Sequence, residues 1–349
     1  IVGKNTLCEG AMGPYHPDLK VPVNPWNAER WSGVSSSGSG VAVVAGLGFA
    51  SIGTDTGGSI RYPSAANGCV GLKPTYGRVS RYGVLALAES LDHVGPMART
   101  VEDAAILFDA IAGYDANDPT SRFEPVQAVR SQLAKGIVGM RIGVDRSYAF
   151  DGVEPELKTA LEKVLEILTE LGAEIVDVKM PDVSLVGDAW WDISTAEAAA
   201  FHAATYPSRR DAYGAGFLDA LDYGSSVTGV QFANAQKIRL EVAGKVNALL
   251  SSIDCMVCPS MSNSAHKKLE NPFIPETNES WALNVIHDVH SKPFNFAGCP
   301  TLSVPCGFSS DGLPFSVQFV GSALDEAKIC RVGYAFEQAT EWHQDHPDL

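Results

Sequence analysis

Residues 141–178 constrain the fold more than any other stretch of the chain. Arg141–Val144 is a short strand. Pro155 stands one residue into the next element, where its fixed φ and missing N–H suit the first turn of a helix. Leu157, Leu161, Val164, Leu165, Leu168 and Leu171 then recur at helical spacing, and Gly172 ends the run. Residues 173–178 alternate as a second strand. Strand, helix and strand make a β-α-β unit, whose crossover should be right-handed.

The same alternation continues on both sides of this unit. Thr100-Val101-Glu102-Asp103 has the form of a capping box, predicting a helix through Ala104, Ala105, Leu107, Phe108 and Ile111 to Gly113. Residues 40–49 read as a tightly packed helix, and residues 51–58 pass from a short strand into a Gly loop. Helical patterns cover 185–224, 229–250 and 326–338, and strand-like runs lie at 256–258, 301–304 and 315–320. Alternating strands and helices predict an α/β layered fold with a mixed sheet.

Composition excludes several classes. The 349 residues are 45% hydrophobic and 19% charged, far from the regime of disorder. A net charge of −15 and the lack of a Lys/Arg run argue against a nucleic-acid surface. No stretch is long and apolar enough to span a membrane. Seven cysteines, an odd number, do not read as a disulfide framework, so a reducing, cytoplasmic setting is expected. Cys255 and Cys258 sit at i and i+3 of a strand and so face opposite ways, which argues against a metal or redox pair. No metal or cofactor is expected. The chain begins Ile-Val-Gly-Lys, and its true N-terminus is expected to lie outside it.

Two serine-glycine segments stand out. One is Gly33-Val34-Ser35-Ser36-Ser37-Gly38-Ser39-Gly40; the other is Gly53-Thr54-Asp55-Thr56-Gly57-Gly58-Ser59-Ile60-Arg61. Small residues in succession let the backbone turn sharply and bring its N–H groups close to a ligand. A serine ending such a turn gains neighbouring donors, the arrangement acyl transfer needs. Read alone, the segment is a weak signal: Gly-rich loops with serine are common, and the plain reading is a tight turn with a solvated hydroxyl.

Residues 53–64 resemble the core of the amidase signature family. Gly71-Leu72-Lys73-Pro74-Thr75-Tyr76-Gly77-Arg78-Val79-Ser80 and Ser90-Leu91-Asp92-His93-Val94-Gly95-Pro96-Met97-Ala98-Arg99 continue the similarity. So do Asn295-Phe296-Ala297-Gly298-Cys299-Pro300 and Pro314-Phe315-Ser316-Val317-Gln318-Phe319-Val320-Gly321. It reaches from Ile1 nearly to Leu349 and is weakest over 121–256. The resemblance implies a single domain, residues 1–349, with a central mixed β-sheet flanked by helices on both faces. It also implies a variable helical substrate-pocket region at 180–250.

The family's triad is Ser–cis-Ser–Lys. Ser59 matches the nucleophile and Ser35 the bridging serine. Thr56, Gly57, Gly58 and Ser59 match the oxyanion-hole backbone, and Ser36, Asp55 and Arg61 match supporting positions. The implied reaction is hydrolysis of a carboxylic amide, carbamate or ester through a Ser59 acyl-enzyme, with a neutral lysine as base. Small-molecule amides or carbamates are the implied substrates, and a homo-oligomer is an open expectation.

Three departures stand against the pattern. Val34 and Ser37 replace glycines of the first segment, Ser316 stands where glycine is usual, and the catalytic lysine lies upstream of the segment seen here as Gly3-Lys4-Asn5-Thr6. Lys4 is therefore not that lysine, and no residue is assigned to the base. The expectation is that the chain lacks its N-terminal portion; a degenerate, inactive binding member is the alternative. The glutaminase subunit of a tRNA-dependent amidotransferase is a further one.

Remaining candidates are Trp190, Trp191 and His16 for the substrate pocket. His93 is expected to pack near the core. His287-Asp288-Val289-His290 reads as a polar helix face rather than a metal site.

Overall fold

The β-α-β unit forms as its spacing predicts. In the computed structural model, which describes residues 1–12, 14–268 and 288–348, strand β4 (Arg141–Val144) pairs in parallel with β5 (Glu174–Asp177), with Arg141 opposite Glu174. The intervening helix, Pro155–Glu170, buries Leu157, Leu161, Val164, Leu165 and Leu168.

The other strands are β1 (Ala50–Asp55), β2 (Val70–Lys73), β3 (His93–Ala98), β6 (Cys255–Pro259), β7 (Thr301–Phe308) and β8 (Pro314–Val320). Together they form one eight-stranded sheet of order β1-β3-β2-β7-β8-β6-β4-β5, with the β-α-β unit at one end. Pairing is parallel through β6, β4 and β5 and antiparallel elsewhere, so the sheet is mixed as expected.

Helices cover both faces. Gln318 and Phe319 are neighbours in β8 and so point to opposite sides. Gln318 Oε1 accepts from Arg61 of the short helix Arg61–Asn67 at 3.1 Å, whereas Phe319 packs on Phe336 of the helix Glu326–Gln338, centroids 6.2 Å apart. Thr100 Oγ1 accepts from the Asp103 N–H at 3.1 Å and caps the helix Val101–Ile111.

In the 180–250 region, helices Ala215–Ser226 and Gly229–Leu250 both pack on helix Val186–Phe201. Phe217, Leu221, Ala198 and Tyr206 form a satellite core there with Leu87. Cys255 and Cys258 are buried in β6 as free thiols. Among the described residues, no helix is long and apolar enough to cross a membrane, and no cluster of His, Cys, Asp and Glu could hold a metal ion.

The polar-helix expectation for 287–290 needs correction. His287 lies outside the described residues. Val289 and His290 form a turn in which His290 is buried. Its backbone N–H donates to Asp288 Oδ1 at 2.7 Å and its Nε2 lies 2.8 Å from the Tyr148 carbonyl. Packing against Tyr148, a residue distant in sequence, decides this placement.

Candidate active site

Strand β1 ends at Asp55, and the chain turns through Thr56-Gly57-Gly58-Ser59 into the buried helix Arg61–Asn67. The Asp55 carboxylate organises the turn. Its Oδ1 accepts from the Gly58 N–H at 2.8 Å and its Oδ2 from the Ile60 N–H at 3.0 Å. Arg61, fully buried, donates to both oxygens, from Nη2 at 2.8 Å and Nε at 3.0 Å. Arg61 also reaches the Ser291 carbonyl, Gln318 Oε1 and Asn295 Oδ1. Asn295 Nδ2 returns a bond to Asp55 Oδ1 at 2.9 Å.

Burial alone would raise the Asp55 carboxyl; the charge and hydrogen bonds of Arg61 outweigh it and hold Asp55 well below the usual carboxylate range. Every donor and acceptor here has a partner, the condition under which a buried ion pair is tolerated.

Gly58 sits at φ 138°, and a Cβ there would lie 2.2 Å from the Tyr62 ring. A Cβ at Gly57 would lie 2.7 Å from Trp190. The glycines are therefore demanded by walls on both sides. The Gly58 N–H is committed to Asp55, so Gly58 shapes the turn. The Thr56, Gly57 and Ser59 N–H groups make no hydrogen bond among the described residues. Thr56 is tied through its side chain, which donates to Asp92 Oδ1 at 2.6 Å; burial raises the Asp92 carboxyl to about 6.

Ser35 lies against this turn. The Ser36 N–H donates to the Ser59 carbonyl at 3.2 Å, and Ser36 Oγ both accepts from the Thr54 N–H and donates to the Thr54 carbonyl, each at 3.1 Å. The Val34–Ser35 peptide bond is cis. Ser35 Oγ is buried and has no hydrogen-bond partner among the described residues. Ser59 is 9% exposed.

The departures in sequence are absorbed locally. Val34 joins a small core with Cys8, Tyr15, Trp31 and Tyr62. Ser37 Oγ accepts from the Tyr15 hydroxyl at 2.7 Å. Ser316 Oγ donates to the Val304 carbonyl at 3.1 Å and lies 3.0 Å from Ser260 Oγ.

Of the three pocket candidates, only Trp190 has a described contact with the turn: its Nε1–H donates to the Thr56 carbonyl at 2.9 Å. Trp191 packs between Trp190 and Tyr223, with centroids 6.3 and 6.1 Å away. His16 accepts from the Asp18 N–H through Nδ1 at 3.2 Å. His93 is buried, with Nδ1 2.6 Å from the Leu91 carbonyl, and burial together with Lys73 lowers its pKa well below the ordinary value. Lys73 itself is buried, with Nζ 2.6 Å from the Cys299 carbonyl. A cavity of about 370 Å³ between Arg78, Gln132, Glu326 and Arg331 is lined by none of the site residues.

Sequence reasoning missed Tyr62, Ser291 and Lys292. The Tyr62 hydroxyl bonds Ser291 Oγ, which donates to the Gly57 carbonyl at 2.6 Å. Lys292 is fully buried, its ammonium 5.1 Å from the Trp190 ring centroid and 6.0 Å from that of Tyr62. A lysine inside the apolar run Lys292-Pro293-Phe294-Asn295-Phe296 was the available signal, since lysines are rarely buried without a role.

The Amidase family model matches residues 1–330. A glutamyl-tRNA(Gln) amidotransferase chain of Thermosynechococcus vestitus, one subunit of that enzyme, is 40% identical over 376 aligned residues, spanning 100% of this chain and 77% of that protein. Among solved structures, a bacterial aryl acylamidase of the amidase signature family is similar at 26% identity and TM-score 0.83, covering 96% of this chain and 71% of its own. A 6-aminohexanoate cyclic dimer hydrolase is similar at 26% identity and TM-score 0.88, covering 99% and 76%. With the mixed sheet, the Asp55-anchored turn and the adjoining Ser35 loop in place, these matches show that the chain belongs to the amidase signature family of hydrolases.

Proposed function

We propose that the chain hydrolyses a small carboxylic amide through an acyl-enzyme on Ser59. The observation that supports this most is the turn itself, where the Ser59 hydroxyl adjoins the N–H groups of Thr56, Gly57 and Ser59, which make no hydrogen bond among the described residues, and Asp55 holds the backbone from behind. On this reading Ser59 Oγ attacks the carbonyl carbon. These N–H groups receive the developing oxyanion, preorganised before the charge appears. Ser35 relays the Ser59 proton to the base and returns it to the leaving nitrogen, and water then cleaves the acyl-enzyme. The base is the lysine that the family resemblance places upstream of Gly3; Lys4 is exposed and Lys73 is bound to carbonyl groups. Carbamates and esters suit the same chemistry.

The similarity to a glutamyl-tRNA(Gln) amidotransferase chain supports a second reading, a glutaminase subunit working within a complex. One experiment separates them. The complete chain is treated with a fluorophosphonate, the adduct is mapped by mass spectrometry, and amide, carbamate and glutamine substrates are then assayed. An adduct on Ser59 with amide turnover by the isolated protein is the expected result. Failure to label Ser59, together with undiminished turnover by S59A, would sink the acyl-enzyme reading. Labelling with glutaminase activity confined to a complex would favour the second reading.

A further inference from the structure

We propose that Lys292 is a positioning residue for the oxyanion turn: its ammonium holds together the two aromatic side chains that fix the turn's carbonyl groups. This rests on the reading of Thr56–Ser59 as the oxyanion-binding turn.

The geometry runs from the cation to the donors. Lys292 Nζ lies 5.1 Å from the centroid of Trp190 and 6.0 Å from that of Tyr62. A buried ammonium near aromatic faces is attracted to both, more strongly than at a wet surface. Each ring is tied to a different peptide group of the turn. Trp190 Nε1–H donates to the Thr56 carbonyl at 2.9 Å. The Tyr62 hydroxyl donates to Ser291 Oγ, and Ser291 donates to the Gly57 carbonyl at 2.6 Å. A peptide unit is planar, so fixing a carbonyl fixes the N–H of the next residue. Holding the Thr56 carbonyl aims the Gly57 N–H, one of the three turn donors without a partner among the described residues. Holding the Gly57 carbonyl aims the Gly58 N–H into Asp55. Without the cation, the two rings keep their hydrogen bonds to the turn but lose the charge that attracts both.

The surroundings of Lys292 set its charge. Burial lowers the Lys292 pKa to about 8, while the nearby Asp288 carboxylate raises it, Arg61 lowers it and Asp55 raises it. Tyr62 stays neutral, its pKa pushed well above the ordinary value by burial. The ammonium is therefore present at neutral pH and lost as pH rises past about 8, so the rate should fall on that side.

The test uses the complete chain as wild type, K292M, K292R and S59A, with kcat and KM measured from pH 6 to 10 and the rate of Ser59 modification by fluorophosphonate. K292M is expected to lower kcat and the modification rate about 10-fold, with KM changed less than about 3-fold, since aim rather than binding is lost. K292R, which keeps a charge at all these pH values, is expected to recover most of the loss and to move the alkaline fall in kcat upward. A folded K292M with wild-type kcat and modification rate overturns the proposal. Should K292M not fold, an alkaline limb that stays in place in K292R overturns it instead. An active S59A would overturn the underlying acyl-enzyme reading; a dead S59A beside a wild-type-like K292M removes the Lys292 role alone.

Discussion

The turn bearing Ser59 and the loop bearing Ser35 are in direct hydrogen-bonding contact, yet they are built differently. Around Ser59 the polar groups close on one another: Asp55, Arg61, Asn295, Gln318 and Ser291 satisfy each other in a volume from which water is excluded. Around Ser35 the backbone is fixed through Ser36, but the Ser35 hydroxyl is buried with no partner among the described residues. A buried hydroxyl without a bond costs free energy, and such a cost persists where the group serves chemistry rather than stability. One half of the site is thus a closed frame, and the other holds the unpaired hydroxyl that the proposed function uses as a relay.

Three substitutions press on this comparison. R61M strikes the frame. It leaves the Asp55 carboxylate buried without its cation, so unfolding should become easier by about 3–5 kcal/mol. Chemical denaturation measures this, and a loss below about 1 kcal/mol would mean that the frame does not depend on the ion pair. S35A strikes the relay. Here kcat should fall about 100-fold or more while stability holds or rises, by up to about 1–3 kcal/mol, because no hydrogen bond is lost and an unpaired buried hydroxyl is removed. A variant that loses stability and keeps its rate would reverse the assignment of the two halves. W190F is the finest probe. It keeps a ring against Gly57 but deletes the bond to the Thr56 carbonyl, worth about 1 kcal/mol, and kcat should drop about 3- to 10-fold. An unchanged rate would show that the turn is held without the Trp190 bond.

How much of this was legible in sequence follows from the range of each interaction. The helices Pro155–Glu170, Gly229–Leu250 and Glu326–Gln338 were readable because apolar spacing and end signals lie within one segment. Strands β2 and β3 were not. Val70–Lys73 carries a buried lysine and His93–Ala98 contains Gly95 and Pro96, residues that weaken a strand reading. Both form because neighbours accept them. Pro96 faces Ile52 of β1, while β2 pairs with β3 only at Ala98 and Met97, so no partner on that side requires the missing N–H. The site divides in the same way. Ser59, Ser35, Asp55 and Arg61 were named from motifs, whereas Tyr62, Ser291 and Lys292 gained meaning only when 291–295 packed against 55–62.

The linear chain was enough to reveal the family, the order of strands and helices at its clearest points, and the turn that places a serine after two glycines. These depend on local spacing and on which side chains a tight backbone can bear. Which of the turn's N–H groups are spent and which remain available emerged from the folded molecule alone. So did the burial of His290, and the meeting of a lysine more than 200 positions downstream with Trp190 and Tyr62 beside the turn. Hydrogen bonds and charges act over a few ångströms in space, and distance along the chain carries no record of them.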